Sequence, residues 1–319
     1  MPEAARKRSP VAFWAAVAAV LALLPVGWLV FLREPPRVAL AAGRDAASLA
    51  PAGPDASPGQ AELALSQVTG VVQMRRGGGE YVPAQLGTVL KAEDGLRTLD
   101  GSARLVARGA YDVKVEPGTE VEVQQLAERL ARLKLGLGMV VATVEGGSGG
   151  RLEVAARGSD AVASSQDGTF AVSSNGAGTV AVGAREGEVE LRAAGKAVVL
   201  RQGQQSVALP GAAPTAPAAI PPSLFLKIEW PSEKETNQRQ LAVAGRTSPG
   251  AVVLFAGEPV PVQPDGRFKT TVRLREGRNA LAVEAQDVGG HLAEGRREVS
   301  VDTTAPDSEI STQKLWNKP

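Results

Sequence analysis

Apolar and polar residues alternate with a period of two through most of residues 63–209, in short runs such as ARLVA, YDVKV, TFAVS, TVAV, EVEL and AVVL. Side chains that alternate between two faces are the pattern of half-buried β-strands. Glycine punctuates the runs at Gly70, Gly77, Gly87, Gly95, Gly101, Gly109 and Gly118, and again at Gly158, Gly168, Gly178, Gly187, Gly195 and Gly203. Turn signals at intervals of about 8 to 12 residues predict an all-β sandwich, barrel or solenoid-like stack. The dipeptides Asp167-Gly168 and Asn175-Gly176 predict tight hairpins, because both central residues of a type I′ turn need positive φ.

One segment breaks the rhythm. In VEVQQLAERLARLKLGLGMVVATV, Leu126, Leu130, Leu133 and Leu137 suit a helix face, whereas Leu133, Leu135, Leu137 and Met139 suit a strand. Periodicity alone does not separate the two readings. The expectation is a strand from about Arg132, with one helical turn around residues 127–130.

Residues 224–305 change character. FLKIEW, QLAVAGRT, AVVLFAG, GRFKTTVRL, NALAVEAQD and REVSVDT read as six or seven alternating strands, with turns at Pro264-Asp265-Gly266 and around residues 276–279. That count and spacing predict a small immunoglobulin-like sandwich without the inter-sheet cysteines of antibody domains. Two stretches rich in Ala, Pro and Gly, residues 33–62 and 210–223, read as linkers, and residues 306–319 as a flexible tail.

The longest apolar run lies at residues 11–32, which carry no charge. As a helix it would measure roughly 33 Å at about 1.5 Å per residue, enough to cross a bilayer. Trp14 near one end and Trp28 with Phe31 near the other suit interfacial anchoring. Arg6, Lys7 and Arg8 precede the span and Arg33 and Arg37 follow it, so the expectation is a short cytoplasmic N-terminus at residues 1–10. The span then acts as a single-pass anchor in the inner membrane, with the bulk of the chain in the periplasm. The rival reading is a cleaved signal peptide, with Ala39-Leu40-Ala41 as the small-x-small site.

Composition narrows the chemistry. Charges nearly cancel at +1 over 319 residues and aromatics make up 4%, a poor match to the basic, aromatic-interleaved surface of a nucleic-acid binder. Arg75, Arg76, Arg129, Arg132 and Lys134 read as a solvated face. Cysteine is absent, which excludes disulfides and thiolate chemistry. His291 is the only histidine and falls in a loop-like stretch, DVGGHLAEG.

Gly146-Gly147-Ser148-Gly149-Gly150 matches the G-x-S-x-G elbow formally, but it lacks the strand-to-helix context and reads as a flexible hairpin loop. Glu93 with Asp94, and Glu186 with Glu188, read as turn and strand-face acids rather than glycosidase pairs. Asp287 and Asp302 fall short of the six to eight oxygens that calcium takes. Gly77-Gly78-Gly79 lacks the helix and the lysine of a phosphate loop. No catalytic, cofactor or metal residue is assigned, no cofactor is expected, and the chain reads as a non-enzyme.

The middle of the chain resembles a FecR domain, an exported β-rich module of bacterial envelope sensors. The resemblance rests on LSQVTGVV at residues 65–72, EDGLRT at 93–98, LDGSARL at 99–105, LKLGLGMV at 133–140, DGTFAV at 167–172, REGEVEL at 185–191 and RQGQ at 201–204, in that order. Asp167 stands where the family usually has arginine. The regulatory type carries a cytoplasmic segment that engages a sigma factor, and ten residues are too few to fold as such a domain. Residues 224–305 are similar to bacterial Ig-like modules through SPGAVVLFAGEPVPVQPDGRF, LREGRNALAVEAQD and VSVDTTAP. Together these imply an envelope binding, sensing or scaffold protein whose partners are envelope proteins or a cell-wall glycan. A FecR-type regulator acting through a membrane partner, or a glycan-binding module, is the alternative. Trp230 and Phe255 are as well suited to a core as to sugar stacking.

Overall fold

The computed structural model describes residues 62–127, 129–231 and 235–304, and every regular element among them is a strand. The span expected at residues 11–32, the cytoplasmic stretch before it, the spacer at 33–61 and the tail at 306–319 lie outside the described residues. No helix among the described residues is long and apolar enough to cross a membrane.

Sixteen strands make the first body. They are β1 (Leu63–Thr69), β2 (Val72–Arg75), β3 (Val82–Pro83), β4 (Val89–Leu90), β5 (Gly95–Thr98), β6 (Ser102–Ala107), β7 (Tyr111–Val115), β8 (Glu120–Ala127), β9 (Leu130–Val144), β10 (Arg151–Ala156), β11 (Val162–Ser165), β12 (Gly168–Ser174), β13 (Val180–Ala193), β14 (Lys196–Arg201), β15 (Gln204–Ala208) and β16 (Ala218–Ala219). They form two layers around one core. The first layer runs β4-β1-β6-β7-β9-β12-β13-β15-β16. The second runs β3-β2-β5-β8-β9-β10-β11-β13-β14. Strands β9 and β13, of 15 and 14 residues, cross between the layers and so join them.

The ambiguous leucine segment is two strands joined by a turn, with Leu126 on β8 and Leu130, Leu133 and Leu137 on β9. In β9, Ala131, Leu133 and Leu135 point into the core, and beyond the crossing Val140, Ala142 and Val144 do so, a switch from odd to even positions. Gly138 sits at the switch with φ 95°, and a Cβ there would lie 2.3 Å from Thr119 Oγ1. Only glycine fits both conditions without strain. The helical turn expected at residues 127–130 is absent. Ala127 instead pairs with Leu130 where β8 turns antiparallel into β9.

Two further expectations are corrected by the same topology. The Gly146–Gly150 segment is no hairpin, because β10 pairs in parallel with the N-terminal half of β9, Arg151 opposite Leu130. The loop carries the chain from one layer back to the other. Asp167-Gly168 likewise turns a corner between β11 in the second layer and β12 in the first. Asn175-Gly176 does lie in a hairpin, between β12 and β13, but the loop is longer than two residues. It closes with the Asn175 N–H donating to Thr179 O at 3.2 Å.

Residues 210–223 run beside β15. Thr215 N–H donates to Val207 O at 3.0 Å, Ile220 N–H donates to Gly203 O at 2.8 Å, and β16 lies between them.

The second body holds β17 (Leu226–Glu229), β18 (Glu235–Thr236), β19 (Gln240–Thr247), β20 (Val252–Phe255), β21 (Glu258–Val260), β22 (Arg267–Arg273), β23 (Gly277–Gln286) and β24 (Leu292–Val301). A three-stranded sheet, β17-β19-β22, faces a five-stranded one, β18-β24-β23-β20-β21, across a core that includes Val243, Phe255, Phe268, Val283 and Val299. Phe255 is 5% exposed and Trp230 packs against the same core, so both serve packing.

The two bodies belong to one compact unit. The outer side of the first layer carries Ala171 and Ala181, and Val288 from the loop after β23 packs with them and with Met139 in a small separate cluster. Ser173 Oγ donates to Gly250 O, Asn175 Nδ2 to Val262 O at 2.8 Å and Arg185 Nε to Val288 O at 3.0 Å. Strand β12 is therefore buried on both sides, Phe170 and Val172 toward the main core and Ala171 and Ser173 toward the second body.

Candidate binding face

The second body covers the outer side of the first layer around β12 and leaves Arg104 on β6 exposed, and the outer side of the second layer is a further open face. Its side chains follow from register. Gln73, Arg97 and Glu120 stand directly opposite one another on β2, β5 and β8, and Arg75, Gly95 and Glu122 form the neighbouring row. Farther along, Arg132, Glu153, Ser164, Glu190 and Val199 make one row across five strands.

Charges on this face meet opposite charges. Arg75 bridges Glu122 at 2.7 Å, Arg157 bridges Glu120 at 2.8 Å and Arg132 bridges Glu153 at 2.5 Å. Tyr81 lies over the first cluster, with the Arg97 guanidinium carbon 4.1 Å and that of Arg75 5.6 Å from its ring centroid. Both distances lie within cation–π range. The Arg75 side chain passes over Gly95, where a Cβ would come within 2.6 Å of its Nε. The hydrogen bond from Arg157 holds the Glu120 carboxyl below the usual carboxylate range, and burial, followed by the Glu120 charge, raises the Tyr81 phenol.

At the other end a groove of about 500 Å³ runs past Arg151, Ser164, Asp167, Glu188 and Val199. Arg151 Nη2 donates to Ser164 Oγ at 2.7 Å on its floor. Its outer wall is β14, which among the described residues pairs only with β13 and leaves Val199 half exposed. Such an edge offers backbone groups for strand addition, with Lys196 and Arg201 at its ends as charged guards.

The residues singled out in the sequence are placed as follows. His291 Nδ1 is 3.0 Å from Asp287 Oδ2, and its N–H donates to Asp287 Oδ1 at 2.9 Å, so the pair closes the loop that carries Val288. Ser148 Oγ accepts the Gly150 N–H at 3.1 Å, and a Cβ on Gly150 would meet the Tyr111 hydroxyl at 2.7 Å. The elbow-like motif thus reflects close packing around a buried tyrosine. Asp94 is buried, pairs with Arg76 and accepts the N–H groups of Lys91 and Gly77, so the triple-glycine loop points its first amide at a carboxylate. Glu186 accepts from Thr169 Oγ1 at 3.4 Å, Glu188 pairs with Arg201 at 3.3 Å, and Asp302 accepts the Thr304 N–H at 2.9 Å. The structure brings none of these acids together into a pair at one site. Sequence reasoning missed the Tyr81 cluster, whose members come from five separate segments and meet only in the folded sheet.

No protein-family profile matches the chain, and no curated protein sequence matches it. Among solved structures, two crystal structures of a candidate anti-sigma factor from Parabacteroides distasonis are similar at 16% identity with a TM-score of 0.33, over 39% of this chain. The chain spans 57% of the length of those structures. Fibronectin(III)-like modules of Clostridium thermocellum CbhA are similar at 15% identity with a TM-score of 0.22, over 54% of this chain and 88% of theirs.

Proposed function

We propose that the chain is a membrane-tethered, non-catalytic binding or scaffold component of a cell envelope, with the segment at residues 11–32 as its anchor and envelope proteins as its partners. The observation that carries this reading is the joint. Val288 and three side-chain hydrogen bonds fix the second body on the first layer, and the paired-charge face of the second layer stays open. A rigid piece with one broad, internally neutralised face suits recognition by shape and polar matching, in which the acids are already committed to arginines.

The test is photo-crosslinking in intact cells from a probe at Gln125 or Val199 on the open face, with a probe at Ala171 in the joint as control. Capture of a defined envelope protein from the open face alone is the expected result. A reporter fused after residue 60 checks the side of the membrane. Turnover of a substrate by the purified chain overturns the non-catalytic reading, and a transcriptional response lost on deletion replaces it with a regulatory one.

A further inference from the structure

The outer side of the three-stranded sheet carries a row of three like charges. Lys227 on β17 stands directly opposite Arg246 on β19, and Arg246 directly opposite Arg267 on β22. All three are exposed. Neighbouring strands lie about 4.8 Å apart, so three like charges share one row only two strand spacings long. Like charges directly opposite each other destabilise a sheet.

Like charges also stand opposite each other at Arg104 and Lys114 and at Glu284 and Glu294, but of these Arg104, Lys114 and Glu294 each have an oppositely charged partner. Arg104 meets Asp112, Lys114 meets Glu116, Arg192 meets Glu190 and Arg278 meets Glu298. In the ladder, Arg267 alone has an ion-pair partner, Asp265 at 3.3 Å on its own turn. Lys269 lies two residues along β22 on the same side, in a row that ends on the acid Glu229, so among the described residues Lys227 and Arg246 are the cations of the ladder without an acidic partner. Two residues before Lys227 stands Phe225, 53% exposed, and a depression of about 670 Å³ lies between it, Lys227, Arg246 and Arg267.

We infer that this ladder is a binding site for a linear acidic glycan, one bearing a carboxylate on each sugar. The unmatched cations call for a polyanion whose charges repeat at roughly the strand spacing. Phe225 supplies what an acidic peptide or a bare phosphate chain would not need, an apolar plate for the C–H face of a sugar ring. Gln263 and Glu229, which also line the depression, can hydrogen-bond ring hydroxyls. This deepens the binding reading above and rests on it.

The experiment uses the full chain in detergent micelles, with polygalacturonate as probe and with dextran and polyglutamate as controls. Polygalacturonate is expected to bind and to weaken as salt rises, because the contact is between exposed charges. Dextran should not bind. The triple variant Lys227→Gln, Arg246→Gln, Arg267→Gln should lose at least tenfold in affinity, and Arg104→Gln on the first body should lose nothing. Phe225→Ala should weaken polygalacturonate severalfold and leave any polyglutamate binding unchanged. Because the ladder opposes folding, Arg246→Gln should leave the unfolding midpoint level or raise it. Failure to bind polygalacturonate, equal binding of polyglutamate that ignores Phe225→Ala, or a lowered midpoint in Arg246→Gln each overturns the inference. Crosslinking from the open face of the first body is independent of these outcomes, so failure of the ladder and failure of the scaffold reading are told apart.

Discussion

A Cβ on Gly183 would lie 2.9 Å from a methyl carbon of Val288, so the second body can seat on the first layer only because that position is bare. Val288 is 2% exposed. Truncating it to alanine is expected to cost about 1–2 kcal/mol, by loss of buried methyl groups and the cavity they leave. Calorimetry of Val288→Ala and Gly183→Leu checks the joint. The wild type should unfold in one coupled transition, and the leucine variant should show the second body melting ahead of the first.

Gly138 and Gly195 both have positive φ, at 95° and 71°, but a Cβ at Gly195 meets nothing while one at Gly138 runs into Thr119. Gly195→Ala should cost about 1 kcal/mol from the backbone alone. Gly138→Ala should cost clearly more, because clash adds to strain of about 1–3 kcal/mol. Urea midpoints of the two variants, measured side by side, isolate the crossing.

Thr119 is 1% exposed, and its hydroxyl accepts the Met139 N–H at 3.0 Å, beside the crossing. Thr119→Val keeps the volume and orphans that buried amide, at an expected cost of about 1–3 kcal/mol. Hydrogen exchange at Met139 should speed up in the variant. An unchanged rate would mean that the hydroxyl does not hold the strand.

The Glu120 carboxyl is depressed chiefly by the Arg157 hydrogen bond, so it binds protons less readily folded than unfolded. Its contribution to stability is fully present above the unfolded value near 4.5 and is lost as pH falls through the lower folded value. Glu120→Gln should therefore flatten the fall in stability below pH 4.5 while lowering stability near neutrality. Denaturation midpoints across an acid series check the sign.

The strands were legible because period-two runs such as TFAVS and TVAV hold their alternation from end to end. The connections were not, since a glycine announces positive φ without saying which layer receives the next strand. That is why Asp167-Gly168 and the Gly146–Gly150 segment read as hairpins. The helical leucine spacing runs across a turn, with Leu126 on β8 and Leu130, Leu133 and Leu137 on β9, so it never belonged to one element. Tyr81, Arg97 and Glu120 gave no local signal either, because their meeting depends on β2, β5 and β8 lying side by side.

The placement of β9 has a consequence for incomplete chains. A chain ending at residue 144 holds β7 and β8, the partners of β9 on one flank, but its neighbours on the other flank, β10 and β12, are supplied only by residues 151–174. Without them a 15-residue strand shows an open flank in both layers at once. Products truncated anywhere in that interval keep this flank as a template for pairing between molecules, and should be recovered as aggregates rather than as smaller folded proteins.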